Sequence, residues 1–254
     1  MTVLGDAVRL SAGTLTVLPV PAPHSLGPRV AALAMALAPV IVLPVAAAAA
    51  AVGWALDAGD APPMLTAVLV VAVLALGSGA LHLDGLSDTA DGFAVQGDRG
   101  RRLEVMRRGD VGPAGVAALV LVLLVQVAAL ASVLESRGAG SEAATLCLAV
   151  VASRAVLALG CARGVRAARS DGLGSAVAGS VPVLLVVLVL GAVSAVAGLV
   201  DQWRGVVGVA VAVTVAAVVL LAARRRLGGV TGDVLGACVE IALAGYLVSQ
   251  VLIV

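Results

Sequence analysis

The sequence predicts an all-α, polytopic integral-membrane bundle of about seven transmembrane helices with a cytoplasmic N-terminus. Composition is the first reason. Of 254 residues, 61% are hydrophobic and 12% charged, with a mean hydropathy of +1.15, which places the chain among membrane proteins before any motif is read. Seven apolar runs, each long enough or nearly so to cross a hydrocarbon core of about 30 Å, are the second. The third is that arginines gather in alternate loops between those runs. The net charge is only +1, so no nucleic-acid partner is indicated.

Residues 1–29 read as an amphipathic lead ending in LTVLPVPAPH, suited to lying at the membrane interface. The lead lacks the basic, apolar and small-residue order of a secretory signal, so it is expected to be retained. The runs follow at 30–56, 62–81, 113–134, 143–161, 176–200, 205–223 and 234–254. Pro39 and Pro44 predict a kink or break in the first of them. Cys147, Cys161 and Cys238 sit in apolar runs without paired spacing and read as small packing residues. The whole chain, 1–254, reads as one membrane-embedded catalytic domain.

Every one of the sixteen basic residues is arginine. Arg9 and Arg29 lie in the lead, Arg99, Arg101, Arg102, Arg107 and Arg108 in 82–112, Arg163, Arg166 and Arg169 in 162–175, and Arg224–Arg226 after the sixth run. The intervening loops hold only Arg137 and Arg204, and Arg154 falls inside a run. By the positive-inside rule the arginine-rich loops are cytoplasmic and the C-terminus is outside. The same loops carry DGLSDTADG, RSDGLG and GGVTGD. An active site is therefore expected to open to the cytoplasm.

The strongest constellation is LHLDGLSDTADG, residues 81–92. If it is helical, steps of four and seven bring Asp84, Asp88 and Asp91 onto one narrow face. Three like charges there need a counter-charge, and a hard divalent cation such as Mg²⁺, held by carboxylates and substrate phosphates, is the obvious one. Gly85 and Gly92 are expected to let a bulky ligand approach the backbone. His82, just ahead, reads either as a base or phosphate donor or as a packing residue. Asp110, before the third run, reads either as a further ligand or as a helix cap, and Glu104 as the partner of Arg108 four residues on.

Charges at membrane depth are costly, so Arg154 and Glu240 are expected to pair or to serve a site. Arg154 either joins Glu240 or receives a phosphate. Arg169 and Asp171 read either as a phosphate-binding fork and loop or as part of an ordinary positive-inside loop. Asp233 shares a helical face with Glu240. Arg224–Arg226 read as topology determinants or lipid head-group contacts.

Taken together, LTVLPVP, HLDGLSDTADGF, RRLEVMRRGDVGPAG, SRA at 153–155, ARSDGLG at 168–174 and GGVTGDVLGA at 228–237 resemble the cobalamin synthases, or adenosylcobinamide-GDP ribazoletransferases. The blocks occur in family order and span nearly the whole chain. The resemblance implies a Mg²⁺-dependent membrane enzyme that joins adenosylcobinamide-GDP to α-ribazole, or to its 5′-phosphate, and releases GMP. Carried onto this chain, Asp84, Asp88, Asp91 and Asp110 hold metal, and Asp84, Asp88, Asp91 or His82 takes the hydroxyl proton. Arg154, Arg169, Asp171 and Asp233 would surround the phosphates. One departure stands out: family members carry an acidic residue near position 108, where this chain has Arg108, with Asp110 two places on. Either Asp110 takes over that role or a fourth acidic ligand is dispensable. Membrane lipid is an expected partner, and homo-oligomerisation stays open.

Two other readings compete. A CDP-alcohol phosphotransferase-like lipid enzyme would use similar chemistry, but its DG-x-x-AR pattern is absent. A transporter would spread polar residues through several spans and both faces, whereas here they gather on one side.

Overall fold

Alanine- and valine-rich runs can enter a bilayer only if every backbone N–H is closed onto a carbonyl of the same segment, and here the runs do so as helices. A computed structural model describes residues 2–137 and 139–253. Met1, Gly138 in the predicted loop after the third run, and Val254 at the end of the seventh lie outside the described residues. The helices are α1 (Val3–Leu15), α2 (Pro28–Ile41), α3 (Leu43–Asp57), α4 (Pro63–Gly77), α5 (Leu81–Ala94) and α6 (Arg99–Arg107). They continue with α7 (Pro113–Arg137), α8 (Ala139–Gly160), α9 (Gly172–Val177), α10 (Val183–Leu227) and α11 (Gly232–Leu252). No strand occurs among the described residues, only single bridges at Ala162–Val181 and Ala167–Val230.

The spans of a multi-pass membrane protein follow from these lengths. Helices α2 and α3 form one broken span of 30 residues, interrupted at Val42 between Pro39 and Pro44, as the prolines predict. Helix α10 has 45 residues, which at 1.5 Å per residue is about twice the thickness of a hydrocarbon core. It is divided at Asp201 and Gln202, where Gln202 takes φ 50° and ψ −139°. Across that break the chain folds back, because a Cβ at Gly205 would overlap the Ala197 carbonyl and one at Gly198 would meet Val206. Residues 183–200 and 203–227 are therefore two spans joined by a tight corner. With α7, α8 and α11, and the shorter 15-residue α4 bent into α5, this accords with about seven predicted crossings. Gly205→Leu should pry the corner open, at a cost of about 1–3 kcal/mol from overpacking. Thermal unfolding in detergent checks this, and an unchanged midpoint would exclude the corner.

The two sets of loops sit at opposite ends of the bundle. At one end Arg99 donates to the Ala168 carbonyl, Arg226 to the Phe93 carbonyl, Arg107 to Asp171 and Arg169 to Asp233. At the other, Gly53 packs on Glu142 and Gln250 donates to the Arg204 carbonyl. The arginine-rich segments therefore converge on one face.

Two segments differ from the sequence reading. Residues 82–112 are not a loop but two helices, with α5 bent 90° from α4 and packed between α7 and α11. Gly79 and Ala80, both at positive φ, make that bend. The lead is more than an interfacial tail: α1 buries Ala7, Leu10 and Leu15 against α2, and residues 16–27 return along it. Asp6 ties this return by accepting from the His24 backbone N–H (3.0 Å) and from Ser25 Oγ (3.2 Å). The backbone bond from His24 above all holds the Asp6 carboxyl at about 2. The tie is accordingly full above the ordinary carboxylate value of 3.8 and is lost as pH falls through about 2.

Candidate active site

Helix α11 is the post on which the site is built. It is buried nearly all round, from Val234 to Gln250, and α5 crosses its first turns closely. A Cβ at Gly85 would overlap the Asp233 backbone, and one at Gly236 would press on His82. Gly85 therefore serves helix–helix contact, and Gly92 likewise accommodates the Met106 side chain. Neither leaves room for a ligand, as the sequence reading had expected. The crossing sets the face of α5 that bears the aspartates beside the N-terminus of α11.

The three aspartates share a helical face but not an environment. Asp84 is exposed, Asp88 is 9% exposed and Asp91 is 7% exposed. Asp91 is fully engaged: its two carboxylate oxygens accept the backbone N–H of Gly112 (2.7 Å) and of Gly115 (2.9 Å). Those are first-turn donors of α7, which have no partner within that helix. A Cβ at Gly115 would overlap both Ser87 and Asp91. Asp84 and Asp88, by contrast, receive no hydrogen bond among the described residues. Asp88 lies within reach of the charges of Asp84, Asp233, Asp91 and Arg169. The single cation in that group is already committed, since Arg169 donates to Asp233 at 2.7 Å.

Thr231 completes the corner by capping α11 through Val234 N–H (3.2 Å) and donating to Asp233 at 3.1 Å. The preceding Val230 is pinned between Arg166 and Ala168 by two backbone bonds. A cavity of about 250 Å³ opens here, lined by His82, Arg169, Asp171 and Asp233, with Leu15 and Met35 as an apolar wall. His82 is 4% exposed, and its Nδ1 is buried without a hydrogen-bond partner. At the rim, Asp171 is exposed and paired with Arg107 at 2.7 Å, tying α6 to the RSDGLG loop.

Arg154 and Asp110 fall elsewhere. Arg154 is 1% exposed and does not line the cavity. It donates to Ser153 Oγ at 2.8 Å and faces the charge of Glu240, whose carboxylate also accepts from Gln126 at 2.9 Å. Arg154 therefore lies within electrostatic reach of Glu240 without a direct ion pair to it among the described residues, and its burial closes off an incoming anion. Asp110 is exposed beside a separate shallow cavity with Asp91 and Arg108. Among the described residues, no three of the His, Cys, Asp and Glu side chains form a metal cage by themselves. The expected set of Asp84, Asp88, Asp91 and Asp110 is not assembled.

Asp84, Asp88 and Asp233 are hard oxygen donors gathered with too little positive charge. That fits Mg²⁺, which characteristically takes one or two carboxylates and fills its remaining positions with water and substrate phosphate. The sequence alone did not single out Thr231 or Gln126, whereas the lead and the kinked first span, candidates there for contact with the corrinoid, do supply the cavity wall through Leu15 and Met35. Gln126 carried a usable signal, as a lone amide in an apolar run.

Comparison with known proteins agrees with this arrangement. The family model described as Cobalamin-5-phosphate synthase matches residues 7–251. The adenosylcobinamide-GDP ribazoletransferase of Nocardioides sp. is 47% identical, over 96% of this chain and 97% of its own. That of Frankia casuarinae is 40% identical over 92% and 90%, and that of Pseudomonas savastanoi pv. phaseolicola 40% over 71% and 72%. No solved structure matches the chain. With nearly its whole length matched, the chain belongs to the Cobalamin-5-phosphate synthase family.

Proposed function

We propose that this chain is an adenosylcobinamide-GDP ribazoletransferase of the bacterial cytoplasmic membrane, with its site open to the cytoplasm. The observation that carries the reading is the end-to-end match, at 47% identity, to a relative of that name. The arginine-rich face on which the cavity opens supplies the orientation. The substrates are adenosylcobinamide-GDP and α-ribazole or α-ribazole 5′-phosphate, and the products are adenosylcobalamin or its 5′-phosphate and GMP.

In the reaction a ribose hydroxyl forms a bond to the phosphorus attached to cobinamide, and the bond from that phosphorus to the GMP oxygen breaks. Asp84 and Asp88, free of internal hydrogen bonds, and Asp233 would hold Mg²⁺. When bound, the ion neutralises the diphosphate and the charge developing on GMP. Arg169 orients Asp233 and presents its remaining N–H groups to phosphate oxygens. Asp88 or His82 accepts the hydroxyl proton; His82 lines the cavity, and Asp88 stands less than two turns further along α5, outside that lining but beside Asp233 and Arg169, which belong to it. Leu15 and Met35 exclude water from one side. A cavity of about 250 Å³ takes the diphosphate and the incoming ribose, so the corrin ring rests at the mouth, against α1 and the first span.

The test is GMP release by the purified chain in detergent or proteoliposomes. Release requiring both adenosylcobinamide-GDP and α-ribazole, with a corrinoid product of the summed mass less GMP, is the expected result. GMP release indifferent to the ribazole, or solute flux without GMP, would overturn the reading.

A further inference from the structure

At the arginine-rich face, away from the active-site cavity, a second groove of about 440 Å³ lies between the 163–167 segment and the end of α10. Arg166 and Arg224 stand on its two sides, Leu220 and Leu221 form its floor, and the Gly228–Gly229 backbone closes it. Both guanidiniums are exposed, and neither makes a hydrogen bond or ion pair among the described residues. The neighbouring arginines are differently occupied: Arg226 donates to the Phe93 carbonyl and lies over the Phe93 ring, and Arg99 donates to Ala168. One turn towards the opposite end, Val218 and Leu221 are 62% and 52% exposed, on the apolar surface of a membrane-crossing segment. The groove thus begins on lipid-facing hydrocarbon and ends between two unpaired cations.

We propose that this groove is a binding site for one anionic phospholipid. Its phosphate would sit between Arg166 and Arg224, and its acyl chain would run along Leu220, Leu221 and Val218. Charge complementarity chooses the occupant. Arginine forks bind phosphate oxygens in pairs, and a pair placed where apolar surface gives way to basic surface matches a glycerophosphate head joined to a hydrocarbon tail. The site is independent of the ribazoletransferase reading. None of its lining residues lies in the catalytic cavity, so its failure would leave that reading untouched. Because Val230 is pinned to Arg166 and leads directly into Thr231 and Asp233, an occupied groove would also steady the corner that carries Asp233.

The experiment is native mass spectrometry of the full chain in detergent, titrated with phosphatidylglycerol, phosphatidylcholine or inorganic phosphate. The Arg166→Gln/Arg224→Gln variant is compared with an equally charged control, Arg163→Gln/Arg225→Gln. One phosphatidylglycerol should be retained in preference to phosphatidylcholine, and the groove variant should lose about tenfold or more in apparent affinity, the control much less. Arg166→Lys/Arg224→Lys should recover most of the binding, which separates loss of charge from loss of fold. Equal weakening in both double variants, no preference over phosphatidylcholine, or competition by inorganic phosphate at lipid-like concentrations would each overturn the proposal.

Discussion

Asp88→Asn should leave a folded membrane protein whose turnover has fallen by about 10²–10⁴-fold, the range for losing a general base or a key electrostatic group. The substitution keeps the shape of the side chain and removes one charge. That charge now stands among Asp84, Asp91 and Asp233, with only Arg169 to offset them. Without metal it opposes its neighbours, so the variant should unfold at the same temperature as the parent protein or a higher one. A rise in stability with a loss of activity marks a residue kept for chemistry rather than for folding. If Asp88→Asn turns over normally, or loses activity only because it no longer folds, the proposed role is wrong. GMP release and thermal unfolding on the same preparation give both readings.

Asp91→Ala should behave in the opposite way, although Asp91 sits on the same helical face. Its carboxylate holds Gly112 and Gly115 N–H at the start of α7, and both donors would lose their acceptor. The buried Gly115 N–H left without a partner costs about 1–3 kcal/mol, and the part-buried Gly112 N–H adds less. A loss near 3 kcal/mol would lower the unfolding midpoint by roughly 6–12 °C for a chain of this size. The fall should be the same with or without Mg²⁺ and substrate. Asp91→Asn keeps one acceptor oxygen and should lie between. A ligand role makes the contrary prediction, with stability unchanged or raised in apo protein and Mg²⁺ affinity reduced. The pair Asp88→Asn and Asp91→Ala therefore divides the acidic face into a reactive part and an anchoring part.

Much of this was legible in the sequence because membrane folding is dominated by coarse quantities. Run length and arginine alternation gave seven crossings, since both follow from bilayer thickness and charge translocation rather than from packing detail. Spacing of four and seven put the three aspartates on one face. It could not show that one of them faces α7, because that depends on which helix packs against α5. Gly85 was misread for the same reason: a glycine beside acids admits a ligand or a helix equally well, and only the position of Asp233 decides. Arg154 needed its neighbours as well. Glu240 was visible as a partner seven residues beyond Asp233, but Gln126, which fixes Glu240, lies 114 positions away. Residues 82–112 resemble a loop when polar content is equated with exposure, whereas α5 packs between two helices and buries Asp91 against the start of α7, which receives it.

The most direct test of the account is the dependence of GMP release on free Mg²⁺, with adenosylcobinamide-GDP and α-ribazole both present and the protein first stripped with chelator. The expected results are no release in the stripped enzyme, recovery on adding Mg²⁺, and, with Asp88→Asn, a rate that stays about 10²–10⁴-fold below the parent's at every Mg²⁺ concentration. Release that persists undiminished after chelation, or that Asp88→Asn restores in full, would contradict it.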